Sequence, residues 1–400
     1  MSAQLAGGPA GRRVVAERSR VGTRLAALDT LRGALLVLIL VTHGFGLLAA
    51  AAMSRTNREA MEILFGVATP SFVLISGTLF GFFLASRQDL DRVFRGYRRR
   101  AFLFFGLGHL LLATELYPVY GGAAGSFWSF YLSRWYITDS LGVAFLLMPA
   151  VLPSLRPRYR VAIGAILLFA SRLDVVLPWA AATSPRLQVF HQVFFGRLIA
   201  SPRSIFDCYP LVPIVADFMV GSFIGDRLAQ ALRDGHRGIG GFVRDARRLI
   251  VPLALLSAAM CGGWALVSAR FHGHPLLQAM LFPDRAFSLF PAYLAWYLGA
   301  LAFLLTYVDA RQRAAAPAPL GLTRGLALMG RRSLFVFVAQ YFVVQTLPAM
   351  LGHRWMSMRG LMLFLPFAVA AVFAAAVVWD RWRQPRASQA NPPSQVTVTR

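Results

Sequence analysis

The amino-acid sequence indicates an all-α, polytopic integral membrane protein. Hydrophobic residues make up 57% of the 400 residues and charged residues only 14%, and the mean hydropathy is +0.57. These values are far from those of a soluble protein of this size. Apolar windows of about twenty residues, the length that crosses a roughly 30 Å hydrocarbon core, recur along the chain. They predict about ten transmembrane helices, near residues 34–53, 62–85, 101–118, 136–155, 161–180, 209–226, 249–268, 286–308, 327–350 and 360–379.

The distribution of arginine predicts that both termini lie inside the cell. The net charge is +24, and all 41 basic residues are arginine. In an N-in, C-in topology most of these arginines fall on the inner side, as the positive-inside rule requires. The charge is spread over six inner segments rather than gathered in one patch. We therefore expect contact with anionic membrane lipids and no nucleic-acid partner.

Three segments are expected along the chain. Residues 1–24 are rich in alanine, glycine and arginine, and residues 384–400 in serine, proline and glutamine, so both are predicted to be disordered cytoplasmic tails. The membrane domain covers residues 25–383. A cleaved signal peptide is disfavoured because the first apolar run is longer than a signal core and contains a histidine. The cysteines and histidines lack the spacing of a metal site, so no metal is expected.

The first apolar segment carries the most informative spacing. Asp29 and Arg32 precede the apolar run, and His43 lies within it, eleven residues after Arg32. Eleven residues make about three helical turns, so Arg32 and His43 should share one helix face, roughly 16 Å apart along the axis. Asp29 falls on the same stripe. A charged helix end with a histidine deep in the apolar part suits the movement of a chemical group into a membrane.

Other ionisable side chains are predicted inside the bilayer, where their cost makes them candidates for function. His109 and Asp217 fall near the middle of their spans, at the depth of His43, which suggests a shared polar cavity. There Asp217 would assist catalysis by fixing the tautomer of a histidine base. Ordinary interhelical hydrogen bonding remains open for His109 and Asp217. Gly44 and Gly46 are expected to leave room for a substrate beside His43.

The stretch LDTLRGALLVLILVTHGFG resembles the opening motif of the transmembrane acyltransferase superfamily. That superfamily includes the acyltransferase-3 family, the periplasmic glucan succinyltransferases and the heparan-α-glucosaminide N-acetyltransferase-like proteins. Later stretches are similar in the same order, namely VATPSFVLISGTLFGFF, RGYRRRAFLFFGLGHLL, YITDSLGVAFLLMPAVL, FDCYPLVPIVADFMVGSFIGDR and LMGRRSLFVFVAQYFV. The likeness covers most of residues 24–380.

The resemblance implies transfer of an acyl group from cytoplasmic acyl-CoA to a cell-envelope glycan or small molecule outside the membrane. His43 matches the catalytic base of the motif, and Asp29 and Arg32 match the residues that contact the donor. A donor held by its phosphates on Arg32 could extend its arm along the helix stripe to His43, since the arginine fork binds phosphate bidentately. Arginine without lysine, together with abundant alanine, indicates a GC-rich bacterial genome, so the bacterial inner membrane is the expected location.

Further residues are assigned to the two substrates by position. Those that could bind the donor phosphates are Arg95, Arg99, Arg331, Arg332 and Ser333, although retention of basic loops on the inner side explains the arginines equally well. The candidate acceptor-binding residues are Glu115, Asp174, Asp207 and Gln340. Many relatives read Ser-Leu-x-x-Tyr-x-x-His where this chain has Phe337 and Gln340. Gln340 could therefore hydrogen-bond an acceptor but could not exchange protons with it.

A proton-coupled transporter or exporter is the alternative function. His43, His109 and Asp217 would then form a proton relay. Transporters often carry internal repeats, and none is evident in this sequence. A phosphate-binding arginine at the inner mouth serves a donor substrate and has no purpose in proton coupling, which favours the acyltransferase.

Overall fold

The computed structural model describes residues 25–45, 67–86, 90–120, 126–132, 134–173, 190, 193–195, 210–270, 290–313, 321–351 and 356–383. These residues are 93% helical and contain no β-strand, which confirms the predicted all-α class. The predicted tails, 1–24 and 384–400, lie outside the described residues. So do two of the predicted acceptor-binding residues, Asp174 and Asp207.

Fourteen α-helices are described. They are α1 (Ala26–Phe45), α2 (Ala68–Ala85), α3 (Leu90–Phe102), α4 (His109–Tyr120), α5 (Phe127–Leu132), α6 (Ile137–Val151), α7 (Pro157–Leu173), α8 (Leu211–Arg233), α9 (Gly235–Arg270), α10 (Phe290–Arg313), α11 (Gly321–Arg331), α12 (Ser333–Tyr341), α13 (Leu347–Met350) and α14 (Met358–Arg383). Two π-helical segments connect neighbours: Leu103–Gly108 joins α3 to α4, and Phe342–Thr346 joins α12 to α13.

Several helices are long and apolar enough to cross a membrane. Within the described ranges there are five, namely Ala26–Phe45, Ala68–Ala85, Ile137–Ser154, Pro291–Val308 and Met358–Arg383. A sixth arises if Gly321–Arg331 and Ser333–Thr346 are counted as one broken span, with a bend of 90° between them. The sequence predicts about ten spans; five or six are found in the described part of the chain, and the count of about ten stays a prediction.

The predicted span 327–350 is not one straight helix. It breaks at Arg332, where the backbone leaves the helical region (φ −104°, ψ 27°). The Arg332 guanidinium binds Asp380 of α14, with Nη2 and Oδ1 2.6 Å apart. On the other side of the break, Gly330 lies in backbone contact with Asp29 and Gly33 of α1. Tertiary contacts on both sides of residue 332 therefore fix the bend.

Residues 227–248, an amphipathic segment between the predicted spans 209–226 and 249–268, are also helical. Helix α8 continues to Arg233, and α9 begins at Gly235. Gly235 has a φ of 70°, in the left-handed region that glycine adopts without steric cost. A single turn at this glycine therefore reverses the chain where a longer loop is predicted, because an amphipathic pattern does not distinguish a surface segment from the extension of a helix.

Helices α2 and α8 pack closely against each other. Each helix carries a Gly-x-x-x-Gly pair, Gly77 with Gly81 and Gly221 with Gly225. A Cβ at any of the four would overlap a backbone carbonyl oxygen of the other helix, those of Phe218, Ser222, Leu74 and Thr78 respectively. The two backbones are thus in direct contact, the arrangement that small residues allow between membrane helices.

Helix α1 lies among several other helices. It contacts α2, α10, α11, α12 and α14. Near its N-terminal end Gly33 meets the Leu326 carbonyl of α11, and near its C-terminal end Gly44 meets Leu365 of α14. The helix that carries Asp29, Arg32 and His43 is therefore held by partners at both ends.

Candidate functional site

The predicted catalytic histidine is half-buried and lies against an aromatic neighbour. The His43 ring lies against the Tyr341 ring of α12, with centroids 4.4 Å apart and planes at 42°. Its Nδ1 is buried and has no hydrogen-bond partner among the described residues. A Cβ at Gly44 would lie 2.5 Å from Leu365 Cδ2. The predicted open space beside Gly44 is therefore wrong, because Leu365 fills it; Gly46 lies outside the described ranges.

Tyr341 continues a row of rings that links three helices. Its ring lies 5.4 Å from that of Phe337 on the same helix, and Phe337 lies 6.2 Å from Phe72 of α2. We call Phe72, Phe337, Tyr341 and His43 the aromatic row. Sequence analysis missed Phe72 and Tyr341, although the four-residue spacing of Phe337 and Tyr341 places both on one helix face.

Two residues that directly precede members of the aromatic row in the sequence carry polar atoms without partners among the described residues. Gln340 precedes Tyr341, is 0% exposed, and has a side-chain amide whose oxygen and nitrogen both find no hydrogen-bond partner in the described part of the chain. Ser71 precedes Phe72, is also 0% exposed, and its hydroxyl is likewise unpartnered there. Buried polar groups in native proteins are nearly always hydrogen-bonded, so each such group needs an explanation.

Glu115, a predicted acceptor-binding residue, belongs to the helix beside Gln340. Helix α4 packs against α12 and the π-segment that follows it. The Thr346 hydroxyl of that segment donates a 2.7 Å hydrogen bond to the Glu115 carbonyl oxygen. The Glu115 carboxylate atom Oε2 is buried and unpartnered among the described side chains. Of the predicted acceptor residues within the described ranges, both Glu115 and Gln340 therefore carry buried polar atoms of this kind.

The N-terminal end of α1 meets two other helices. The backbone of Asp29 contacts Gly330, which directly precedes Arg331 at the end of α11. Burial raises the pKa of the Tyr97 phenol in α3, and the positive charges of Arg100 and Arg32 partly lower it. Arg32 is therefore close enough to α3 to act on Tyr97. The structure thus brings Asp29 near the end of α11 and Arg32 near α3.

The remaining predicted donor residues have different surroundings. Arg95 and Arg99 lie on the exposed face of α3, whereas Tyr97 between them is buried. Arg331 is exposed at the end of α11, Ser333 begins α12, and Arg332 is engaged by Asp380. Arg95, Arg99 and Arg331 therefore expose their charge, while Arg332 has a carboxylate partner.

The stripe of α1 between Arg32 and His43 is closed. Leu36 and Ile39 lie on it, one and two turns beyond Arg32, and they are 0% and 3% exposed. The predicted open path for a donor arm along this face is wrong for this structure, since packed apolar side chains fill it.

The described contacts give His43, His109 and Asp217 different partners, and the shared polar cavity stays a prediction. His109 Nδ1 lies 2.8 Å from Asp139 Oδ2, and Nε2 lies 3.0 Å from the Tyr131 carbonyl oxygen. With Asp139 ionised, both partners only accept, so both ring nitrogens donate and the imidazole is a cation. Asp217 instead accepts a 2.8 Å hydrogen bond from the Tyr293 hydroxyl. Each of the three titratable groups thus has a different neighbour.

The comparisons with known proteins do not assign this chain to a family. No protein-family model matches the chain, and no curated protein matches it. Within the described residues, no group of three or more His, Cys, Asp or Glu side chains is arranged to hold a metal ion.

Proposed function

We propose that this protein is a membrane acyltransferase that carries an acyl group from cytoplasmic acyl-CoA to an acceptor on the other side of the bacterial inner membrane. The observation that carries the proposal is His43, a half-buried imidazole on the same continuous helix as Arg32, whose buried Nδ1 has no hydrogen-bond partner among the described residues. A general base needs a nitrogen that is not already committed to a structural hydrogen bond. The likeness of the α1 sequence to the acyltransferase motif supports the same role.

In this proposal His43 removes a proton from an acceptor hydroxyl or amine as its oxygen or nitrogen attacks the thioester carbonyl carbon. The bond from that carbon to the acceptor forms, and the carbon–sulfur bond breaks. The leaving thiolate then takes the proton from the imidazolium, so the enzyme returns to its starting state. Such proton transfer contributes on the order of a hundred- to ten-thousandfold to the rate.

Arg32 and Asp29 form the centre of the proposed donor site. The proposed site also includes Arg331 at the end of α11, Ser333 at the start of α12, and the exposed Arg95 and Arg99 of α3. Several guanidinium groups suit the phosphates of acyl-CoA because they are permanently charged and bind bidentately. This donor site requires the N-terminal end of α1 to lie on the cytoplasmic side. The proposed N-in, C-in topology of about ten spans would place it there.

Delivery of the acyl group needs a conformational step in this proposal. Leu36 and Ile39 fill the stripe between Arg32 and His43, so the donor arm displaces them or passes beside them. Substrate-induced rearrangements of this kind are common in enzymes and often limit turnover.

The transporter alternative has weaker support. A proton relay requires His43, His109 and Asp217 to exchange protons along a chain, whereas each contacts a different residue. For the same reason the proposal assigns Asp217 a structural bond to Tyr293 rather than a catalytic part.

The test uses the full-length protein purified in detergent and incubated with acetyl-CoA, with release of free thiol as the readout. The His43→Ala variant should insert normally and lose about a hundredfold or more of the activity. The control is Thr42→Ala on the same helix, whose hydroxyl bonds to its own helix at the Leu38 carbonyl. Unchanged turnover in His43→Ala would contradict the proposal.

A further inference from the structure

The C-terminal end of α14 carries two tryptophans that stack with a ring of α12. The ring centroids of Trp379 and Phe335 lie 4.7 Å apart, with the planes at 7°. The Trp382 ring lies next to that of Trp379, at 5.3 Å and 39°. We call Phe335, Trp379 and Trp382 the tryptophan stack. Because Trp382 is 75% exposed, the stack is open at that residue.

The tryptophan stack adjoins the segment that carries two proposed donor residues. Arg332 Nε and Nη2 lie 2.7 Å and 2.6 Å from Asp380 Oδ1, so the start of α12 is held against the residue that follows Trp379. Arg331 and Ser333, both part of the proposed donor site, flank Arg332 in the chain. The end of α14 and the proposed donor site therefore meet at the start of α12.

The segment around Trp382 is positively charged. Arg381 and Arg383 flank Trp382 in the chain and are exposed. Asp380, the carboxylate closest in sequence, is paired with Arg332, which offsets its negative charge. An exposed ring between arginines suits a ligand that combines a flat ring with phosphates, because stacking holds the ring and arginine binds phosphate bidentately.

We infer that Trp382 is the stacking surface for the adenine ring of the acyl-CoA donor. This inference rests on the proposed function for the identity of the donor. Acyl-CoA ends in an adenosine whose ribose carries phosphate groups, which matches a ring surface between arginines. Adenine stacks on an indole because both are flat π-systems. The parallel packing of Trp379 on Phe335 fixes the inner part of the stack before the ligand binds, which lowers the entropic cost of binding.

Membrane anchoring is the competing explanation for Trp382. Tryptophan is enriched where a transmembrane helix leaves the bilayer, since its ring is amphipathic. An anchor acts on the whole protein, so its loss affects every donor equally. An adenine site acts only on a donor that contains adenine, and the test therefore compares two donors that differ in this part.

The donors are acetyl-CoA and acetyl-4′-phosphopantetheine, which share the thioester, the pantetheine arm and one phosphate. Thiol release by the full-length protein in detergent gives kcat/KM for each donor. Trp382→Ala should lower kcat/KM for acetyl-CoA by about fivefold or more, the usual effect of removing a ring beneath a base, and should leave that for acetyl-4′-phosphopantetheine within about twofold of wild type. Trp382→Tyr keeps a ring and should restore most of the loss.

Trp128→Ala is the matched control, because Trp128 is also exposed, at 66%, but belongs to α5. Both donors should keep their wild-type kcat/KM in this variant. Equal losses for the two donors in Trp382→Ala, or no loss for either, overturn the inference. The same donor-selective loss in Trp128→Ala also overturns it.

Equilibrium binding of CoA to the full-length protein, measured by calorimetry, separates this inference from the proposed reaction. If Trp382→Ala weakens CoA binding by about fivefold or more while thiol release does not depend on His43, the adenine site stands and only the proposed reaction fails. If release depends on His43 but Trp382→Ala binds CoA as wild type does, the inference alone fails. Absence of CoA binding to wild type overturns both.

Discussion

Tyr293 donates a 2.8 Å hydrogen bond to Asp217, and this bond joins α10 to α8. Both residues are 0% exposed, so the hydroxyl stabilises a carboxylate that water does not reach. Asp217 lies next to Phe218, whose carbonyl is in contact with Gly77 of α2. The pair therefore ties α10 to the closely packed α2 and α8.

Tyr293→Phe should destabilise the protein by about 1–3 kcal/mol, because it removes a donor and leaves a buried acceptor less well satisfied. Thermal unfolding in detergent measures the change. Turnover per folded molecule should stay near wild type, since we assign the bond to structure. A large loss of turnover at an unchanged melting temperature would show instead that Asp217 acts in catalysis.

Gly77→Ala and Gly221→Ala should each lower the melting temperature clearly, because the new methyl group would overlap a backbone carbonyl that cannot move independently. Gly96→Ala is the matched control. It sits in α3 with nothing within 4 Å of the new Cβ, and alanine favours a helix by up to about 1 kcal/mol. The control should therefore be neutral or stabilising. Equal effects at all three positions would contradict backbone contact between α2 and α8.

His109 and Asp139 should show strong coupling in a double-mutant cycle. Their side chains are only 11% and 1% exposed, so removing one partner leaves the other charge buried. Such a loss costs about 3–5 kcal/mol, while removing both costs less than the sum. The measurement is the unfolding free energy of His109→Leu, Asp139→Leu and the double variant. Asp139 also accepts a hydrogen bond from the Tyr136 backbone N–H, so Asp139→Leu should be the more damaging single change. Additive effects would argue against an ion pair.

Arg32→Ala should raise the KM for acetyl-CoA more than Arg32→Lys, since lysine keeps the charge and loses the bidentate fork. Arg244→Ala, an exposed arginine of α9, is the control for a general loss of positive charge. Steady-state kinetics at several donor concentrations separate KM from kcat. The same KM in both Arg32 variants would argue against bidentate binding of phosphate.

Helix α1 shows what the sequence could predict. The spacing of Arg32 and His43 places both on one continuous helix because a long apolar run without breakers has few alternatives. The predicted span begins at residue 34, whereas the helix begins at Ala26. Asp29 makes that end look solvent-exposed, but the packing of α11 over α1 buries it.

The bend at Arg332 and the neighbours of His43 could not be predicted in this way. The bend depends on Gly330 meeting α1 and on Asp380 binding Arg332, and both partners are distant in the sequence. The contact of His43 with Tyr341 likewise depends on how α12 is rotated against α1. A hydropathy pattern gives the position of a helix and its apolar face, but it does not give its neighbours or its rotation.

The Gly-x-x-x-Gly pairs of α2 and α8 limit which helices could move to admit a substrate in the proposed function. No layer of side chains separates these two helices, so they should move together as one rigid unit. Phe72 belongs to this unit, and its ring packs against that of Phe337 on α12. In the proposed function, a molecule that reaches His43 would therefore displace side chains of α12 rather than separate α2 from α8, while the contacts of Gly330 and Arg332 hold the bend.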